Sequence, residues 1–172
     1  MAANENVGMK LEFKPPKDGV LPLYHDGAQV ATFTEESATV GGKEWTLAKD
    51  KTGLRRTDAP DWVVTTKDEE PLAKADRVEV HAGSTDFVLD NEVKSDWVIL
   101  DPAGDYVGQF TGASHGVRQP VITFDKELPA EQAVFLAWTA RELLMASMVR
   151  NTGITTMALI GLSVLGLLVV LL

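Results

Sequence analysis

Met9, Leu11 and Phe13 alternate with Lys10, Glu12 and Lys14, the period-two pattern of a half-buried strand, and Pro15-Pro16 stops it. Short runs rich in Val, Ile, Thr, Phe and Trp follow. The clearest are Trp62–Thr66, Val78–Val80, Phe87–Leu89, Trp97–Leu100, Tyr106–Phe110 and Val121–Phe124. Between them recur turn-forming clusters: His25-Asp26-Gly27, Gly41-Gly42, Asp50 to Gly53, Asp58 to Asp61, Asp90-Asn91, Asp101 to Gly104 and His115-Gly116. Many short strands with turns about every 8 to 12 residues predict an antiparallel sandwich or barrel. Leu23 to Phe33 echoes Leu100 to Phe110, sharing Leu, Gly, Val and Phe positions. Duplication and the general likeness of hairpins account for that echo equally well.

The pattern changes at Leu128-Pro129. Pro129 suits a first helical turn, and Glu131 and Gln132 suit its positive end. Ala133 to Val149 is then apolar nearly all round, which predicts a helix enclosed on every side. Arg141 and Glu142 near its middle make lipid an unfavourable enclosure, at about 2.5 to 3.5 kcal/mol each in a bilayer centre. Protein is the expected surround. A second apolar run, Thr152 to Leu172, carries no charge and includes Ile154, Leu159, Leu162, Leu165 and Leu168. At about 1.5 Å per helical residue it reaches about 31 Å, close to the roughly 30 Å of a hydrocarbon core. One C-terminal transmembrane helix over residues 152–172 is therefore expected, with one domain over residues 1–150 that includes the helix at 129–150.

Charge narrows the function classes. The chain holds 16 Lys and Arg against 25 Asp and Glu, a net −9, all of it ahead of residue 152. A nucleic-acid partner would need the opposite balance. Cysteine is absent, which removes disulfides, thiolate nucleophiles and cysteine metal sites. The first ten residues have neither the basic nor the apolar region of a secretory signal. With Arg141 and Arg150 ahead of the apolar run, the expected location is the cell membrane, single-pass, with the N-terminal domain in the cytoplasm.

The hairpins D-G-A-Q-V-A-T-F and I-L-D-P-A-G-D-Y-V-G-Q-F are followed by F-D-K-E-L-P-A-E-Q-A-V-F-L-A-W-T-A-R-E-L-L-M-A-S. Together they resemble the tubby C-terminal-like superfamily, which includes LURP-one-related proteins and phospholipid scramblases, over roughly Lys10 to Arg150. The resemblance implies a closed antiparallel barrel of about twelve strands around a buried hydrophobic helix. It also implies contact with phospholipid headgroups. The basic barrel cluster of tubby proteins is reduced here to Arg55-Arg56. Beside the helix only Asp125 and Glu127 stand where scramblases carry an acidic stretch, too few oxygens for the six to eight ligands of calcium.

Other candidate chemistry is sparse. His25, His81 and His115 have no second ligand type at metal spacing, and turn formation explains Asp86, Asp90, Asp101 and Asp105 as well as a cation would. Ser37, Ser84, Ser95 and Ser114 lack a nucleophile-elbow context. Trp45, Trp62, Trp97 and Trp138 read as core. Arg141 and Glu142 point about 100° apart on a helix and are expected to find separate partners on strands or at a barrel mouth. The resulting expectation is a non-catalytic module with no cofactor or metal, anchored through Thr152 to Leu172. It would meet lipid headgroups or a membrane-protein complex through Arg55, Arg56, Arg141, Glu142 and Arg150. Scramblase-like lipid transport is the alternative, and hydrolase activity a weaker one.

Overall fold

The computed structural model describes residues 8–113 and 116–148. Twelve antiparallel strands follow in chain order: β1 Met9–Phe13, β2 Leu21–His25, β3 Ala28–Phe33, β4 Ser37–Val40, β5 Lys43–Lys49 and β6 Gly53–Arg56, then β7 Trp62–Thr66, β8 Arg77–Ala82, β9 Thr85–Val93, β10 Asp96–Leu100, β11 Tyr106–Thr111 and β12 Val121–Phe124. Each pairs with the next, and β1 closes on β12 through registers such as Leu11 with Ile122. Closure leaves no open edge to template aggregation. The alternation seen in the sequence is the barrel's inside and outside: Met9, Leu11 and Phe13 are buried, as are Val78, Val80 and Ala82.

Barrel width grows with strand number, and about eight strands already fill their interior with side chains. Twelve leave room for something more. Here that is the helix α1, residues 130–148. Positions 133 to 140 are all buried, and eight consecutive residues at 100° steps cover every direction around the axis. Ion pairs fix its path. Glu131 meets Lys43 at the start of β5 at 3.0 Å, and Glu142 meets Lys49 at its end at 3.0 Å. The six steps of β5 and the eleven of the helix cover about 20 Å and about 16 Å, so strand and helix run side by side. Gln132 Nε2 donates to Ala82 O at 3.3 Å and to Thr85 Oγ1 at 3.0 Å, pinning the helix start to the β8–β9 turn.

The transmembrane part of the expected fold class is corrected. Among the described residues no helix is long and apolar enough to cross a membrane. The α-helix present is built into the barrel, its charges paired with strand residues rather than excluded from lipid. The expected anchor, with Thr152, Ile154, Leu159, Leu162, Leu165, Leu168 and Leu172, lies outside the described residues, as do Arg150 and the helix end expected at 149–150.

Two hairpins carry the internal echo. Gly27 and Gly104 both sit at positive φ, +77° and +88°, where a side chain would be strained. Each hairpin has a register shift at its aligned leucine, between Leu23 and Tyr24 and between Ile99 and Leu100. They lie eight strands apart, not the six that separate equivalent strands in a halved twelve-strand barrel. The echo is therefore one of hairpins rather than of half-barrels.

Gly108 in β11 shows how tight the wall is. A Cβ there would stand 2.3 Å from the Thr123 carbonyl oxygen and 2.9 Å from the Phe124 ring. Gly108→Ala is expected to cost on the order of 2 kcal/mol, read as a lowered midpoint in urea. An unchanged midpoint would mean that β11 and β12 are not paired in this register.

Candidate functional site

Because the strands alternate in direction, all loops fall on two rims. At the helix-entry rim lie the turns at 26–27, 41–42, 57–61, 83–84, 101–105 and 125–129. The helix-exit rim carries 14–20, 34–36, 50–52, 67–76, 94–95 and the end of α1. A cavity of about 630 Å³ opens at the exit rim. Its size is typical of ligand sites.

One wall is a single stripe of α1, Trp138, Arg141, Glu142, Met145 and Ala146, spaced three and four apart so that all face one way. Opposite stand Leu21 and Phe33 from the ends of β2 and β3, and Leu54 from β6. The third side is the 67–76 loop, which contributes Pro71, Leu72 and Ala73. Leu72 N donates to Lys51 O at 2.9 Å, and Thr66 Oγ1 donates to Glu70 O at 2.6 Å, so this loop is tied down rather than loosely draped. The floor is apolar, and the charges gather at the lip.

Those charges form a set. Glu142, with its side chain 11% exposed, accepts from Lys49 Nζ at 3.0 Å through Oε2 and from Arg141 Nη1 at 3.1 Å through Oε1. Arg141 Nε also donates to Arg118 O at 3.1 Å. Sequence reasoning expected Arg141 and Glu142 to have separate partners. Each does have one, at the expected barrel mouth, but the two also reach each other, because long side chains at consecutive positions bend together at the lip. Asp50 accepts from the Thr52 and Gly53 amides and from Arg55 Nη1 at 3.1 Å, which holds its carboxyl below the usual 3.8. Lys51 and Glu35 are exposed lip residues whose side chains make no hydrogen bond or ion pair among the described residues.

Arg55 and Arg56 are not one basic patch. Consecutive strand positions face opposite ways, so Arg55 points outward to Asp50 while Arg56 points into the barrel. There the Arg56 guanidinium lies 4.1 Å from the Trp45 ring centre and 4.9 Å from that of Trp62, and Nη2 donates to Asp58 Oδ2 at 2.7 Å. Trp45 is fully enclosed, its indole N–H without a partner among the described residues. This cluster plugs the barrel beside Phe135 of α1, whose ring meets Trp62 edge-on at 5.4 Å.

The remaining candidates are dispersed. His81 pairs with Asp86 across β8 and β9, Arg77 with Asp90 at 2.8 Å, and His25 Nδ1 bonds Lys10 O at 3.0 Å. Asp101 accepts from the Ala103 and Asp105 amides, a turn role. No group of three or more His, Asp or Glu among the described residues is close enough to hold a metal ion. Ser114 and His115 lie outside them.

Of the cavity's lining, sequence reading singles out Arg141 and Glu142, takes Trp138 as core, and misses Met145, Ala146, Lys49, Lys51, Leu21, Phe33, Leu54 and Leu72. The strand and loop residues among them come from segments as far apart as Leu21 and Leu72, and the one local signal is a pair of charges inside an apolar helix. Compared with protein-family models, curated proteins and solved structures, the chain matches none, so nothing there identifies a tubby-like or scramblase-like superfamily.

Proposed function

We propose that this protein is a non-catalytic barrel module that holds an apolar chain of a lipid at a membrane surface. The cavity at the helix-exit rim carries the reading: an apolar floor of Leu21, Phe33, Leu54, Leu72 and Trp138 under a charged lip fits a molecule with one greasy and one polar end. Among the described residues three large hydrophobic side chains are exposed: Val20, in the β1–β2 loop between the lining residues Gly19 and Leu21, Val93 at the end of β9 on the same rim, and Tyr106 at the other rim. An exposed valine beside a lipid-sized opening favours a lipid surface as the source of the ligand. Lipid transport through the barrel is not favoured, since α1 fills its interior on every side.

Trp138 makes the site observable. A bromine-labelled stearyl alcohol, added to the full chain, is expected to quench part of the tryptophan emission. Ala146→Phe, which fills the cavity from the helix, and Ala73→Phe, which fills it from the tied loop, are each expected to remove that quenching while the chain still melts cooperatively. Quenching that survives in both variants, or is absent from the unaltered protein, would place lipid elsewhere and end this reading.

A further inference from the structure

Resting on the reading of the exit-rim cavity as a seat for an apolar chain, we infer that its resident occupant is this chain's own apolar run, through the leading residues Ile154 to Leu159. A lipid then enters by displacing it. Position is the first ground. The helix α1 leaves the barrel at the exit rim, and two residues of its last described turns, Met145 and Ala146, are themselves part of the cavity wall. From Met148 to Thr152 the chain spans at most about 14 Å when fully extended, so the run starts within reach of the opening.

Chemistry is the second. The charged residues around the opening are three cations, Lys49, Lys51 and Arg141, and three carboxylates, Glu35, Asp50 and Glu142, so the lip is balanced and calls for no charged ligand. Residues 152–172 carry no charge either. Seating part of that run on the apolar floor takes apolar surface of both out of water. The sequence also supplies a means of turning back, since Asn and Gly, here Asn151 and Gly153, most readily take the left-handed conformation in which a helix ends. A cavity of about 630 Å³ has room for a few side chains and not for the whole run, so the seat belongs to its leading residues.

Attachment decides the competition. Segments on short tethers meet their sites at effective concentrations of order mM, far above that of a free long-chain amphiphile in water. A tail seated about nine-tenths of the time leaves about one-tenth of the cavities open and weakens lipid binding about tenfold. Lipid is thus admitted where acyl chains are abundant, as at a membrane surface, and refused in dilute solution.

Because the chain has no cysteine, introduced thiols report without background. In the full chain, Ala73→Cys on the tied loop is combined in turn with Ile154→Cys, Met157→Cys and Leu159→Cys, and the same three with Ala103→Cys at the opposite rim. Mild oxidation of dilute protein is expected to close a disulfide within the chain for at least one Ala73 pair and for none of the Ala103 pairs, since the bond needs Cα atoms within about 7 Å. Hexadecanol, and separately Ala146→Phe, is expected to prevent it. No cross-link at position 73, one formed only between chains, or one that survives Ala146→Phe would overturn the inference. Affinity is the second measurement. Ile154→Asp with Met157→Asp, which sets charge against the apolar floor, is expected to bind the bromine-labelled alcohol about tenfold more tightly than the unaltered chain. Equal affinity would overturn the tail's role and leave the lipid site standing. An alcohol that binds neither form ends the lipid reading, and the cross-link at position 73 still decides the tail.

Discussion

Arg56→Ala is expected to lower stability by about 3 kcal/mol and the melting temperature by roughly 10 °C, measured by calorimetry or by circular dichroism. Two losses combine. The guanidinium fills the gap between the Trp45 and Trp62 rings, and its removal opens a void in a packed plug. Asp58, only 30% exposed at its side chain, loses the partner that offsets its partial burial. Arg56→Met keeps most of the volume and is expected to cost less, and adding Asp58→Asn is expected to recover more still, since a buried ion pair can be replaced by apolar groups more cheaply than it can be halved. If Arg56→Ala and Arg56→Met melt together within error, packing against the tryptophans contributes nothing and the cluster is a surface feature.

The same pair sets part of the acid limit of the fold. The hydrogen bond from Arg56, helped by the Thr46 amide, holds the Asp58 carboxyl below its ordinary 3.8. In the window between the lowered value and about 3.8, the unfolded chain takes up a proton that the folded one refuses. Stability from this group is therefore complete above about pH 4 to 5 and falls away as pH drops through the folded value. Asp58→Asn is expected to be less stable at neutral pH and to lose less on further acidification, which denaturant midpoints between pH 6 and pH 3 would read. Asp50 and Glu12 act in the same direction, but more weakly, being held by bonds at the solvent-facing surface.

What could be read in the sequence, and what could not, follows from which forces are written in side chains. Strands with one buried face announce themselves by alternation, and Val121–Phe124 falls on its predicted bounds. The enclosed helix was visible because its apolar residues leave no polar face. Closure of the barrel is not written in the alternation, since β1 and β12 meet through backbone hydrogen bonds across more than a hundred residues; it was expected from the family resemblance alone, and the twelve-strand barrel is closed. Asp90-Asn91 reads as a turn yet lies inside β9. Asn91 Nδ2 donates to the Lys94 and Asp96 carbonyls across the real reversal at 94–95, three residues further on and beyond a shift in register, so a turn-stabilising residue reads as the turn itself. The cavity is the furthest from local reading. Leu21, Leu54 and Trp138 look like ordinary core residues, and only closure brings their ends to one opening.

That closure and the helix within it stand on a single testable core position. Phe135 has no exposed surface, meets Trp62 edge-on at 5.4 Å and contacts Trp138 at 5.7 Å. Phe135→Ala is expected to cost about 4 kcal/mol, the transfer of a ring to water plus the void it leaves. Neighbours on one side belong to the barrel wall and on the other to α1 itself, so neither can collapse into the space without breaking strand pairing or helical hydrogen bonds. A void lined by tryptophan and aliphatic groups should stay dry and accept a small aromatic molecule. Benzene is therefore expected to raise the melting temperature of Phe135→Ala and leave that of the unaltered chain in place. A helix lying on the outside of a sheet would expose part of its circumference, and substitution of Phe135 would then cost no more than about 1 kcal/mol with no rescue by benzene. The size of this one loss separates a filled barrel from a decorated one.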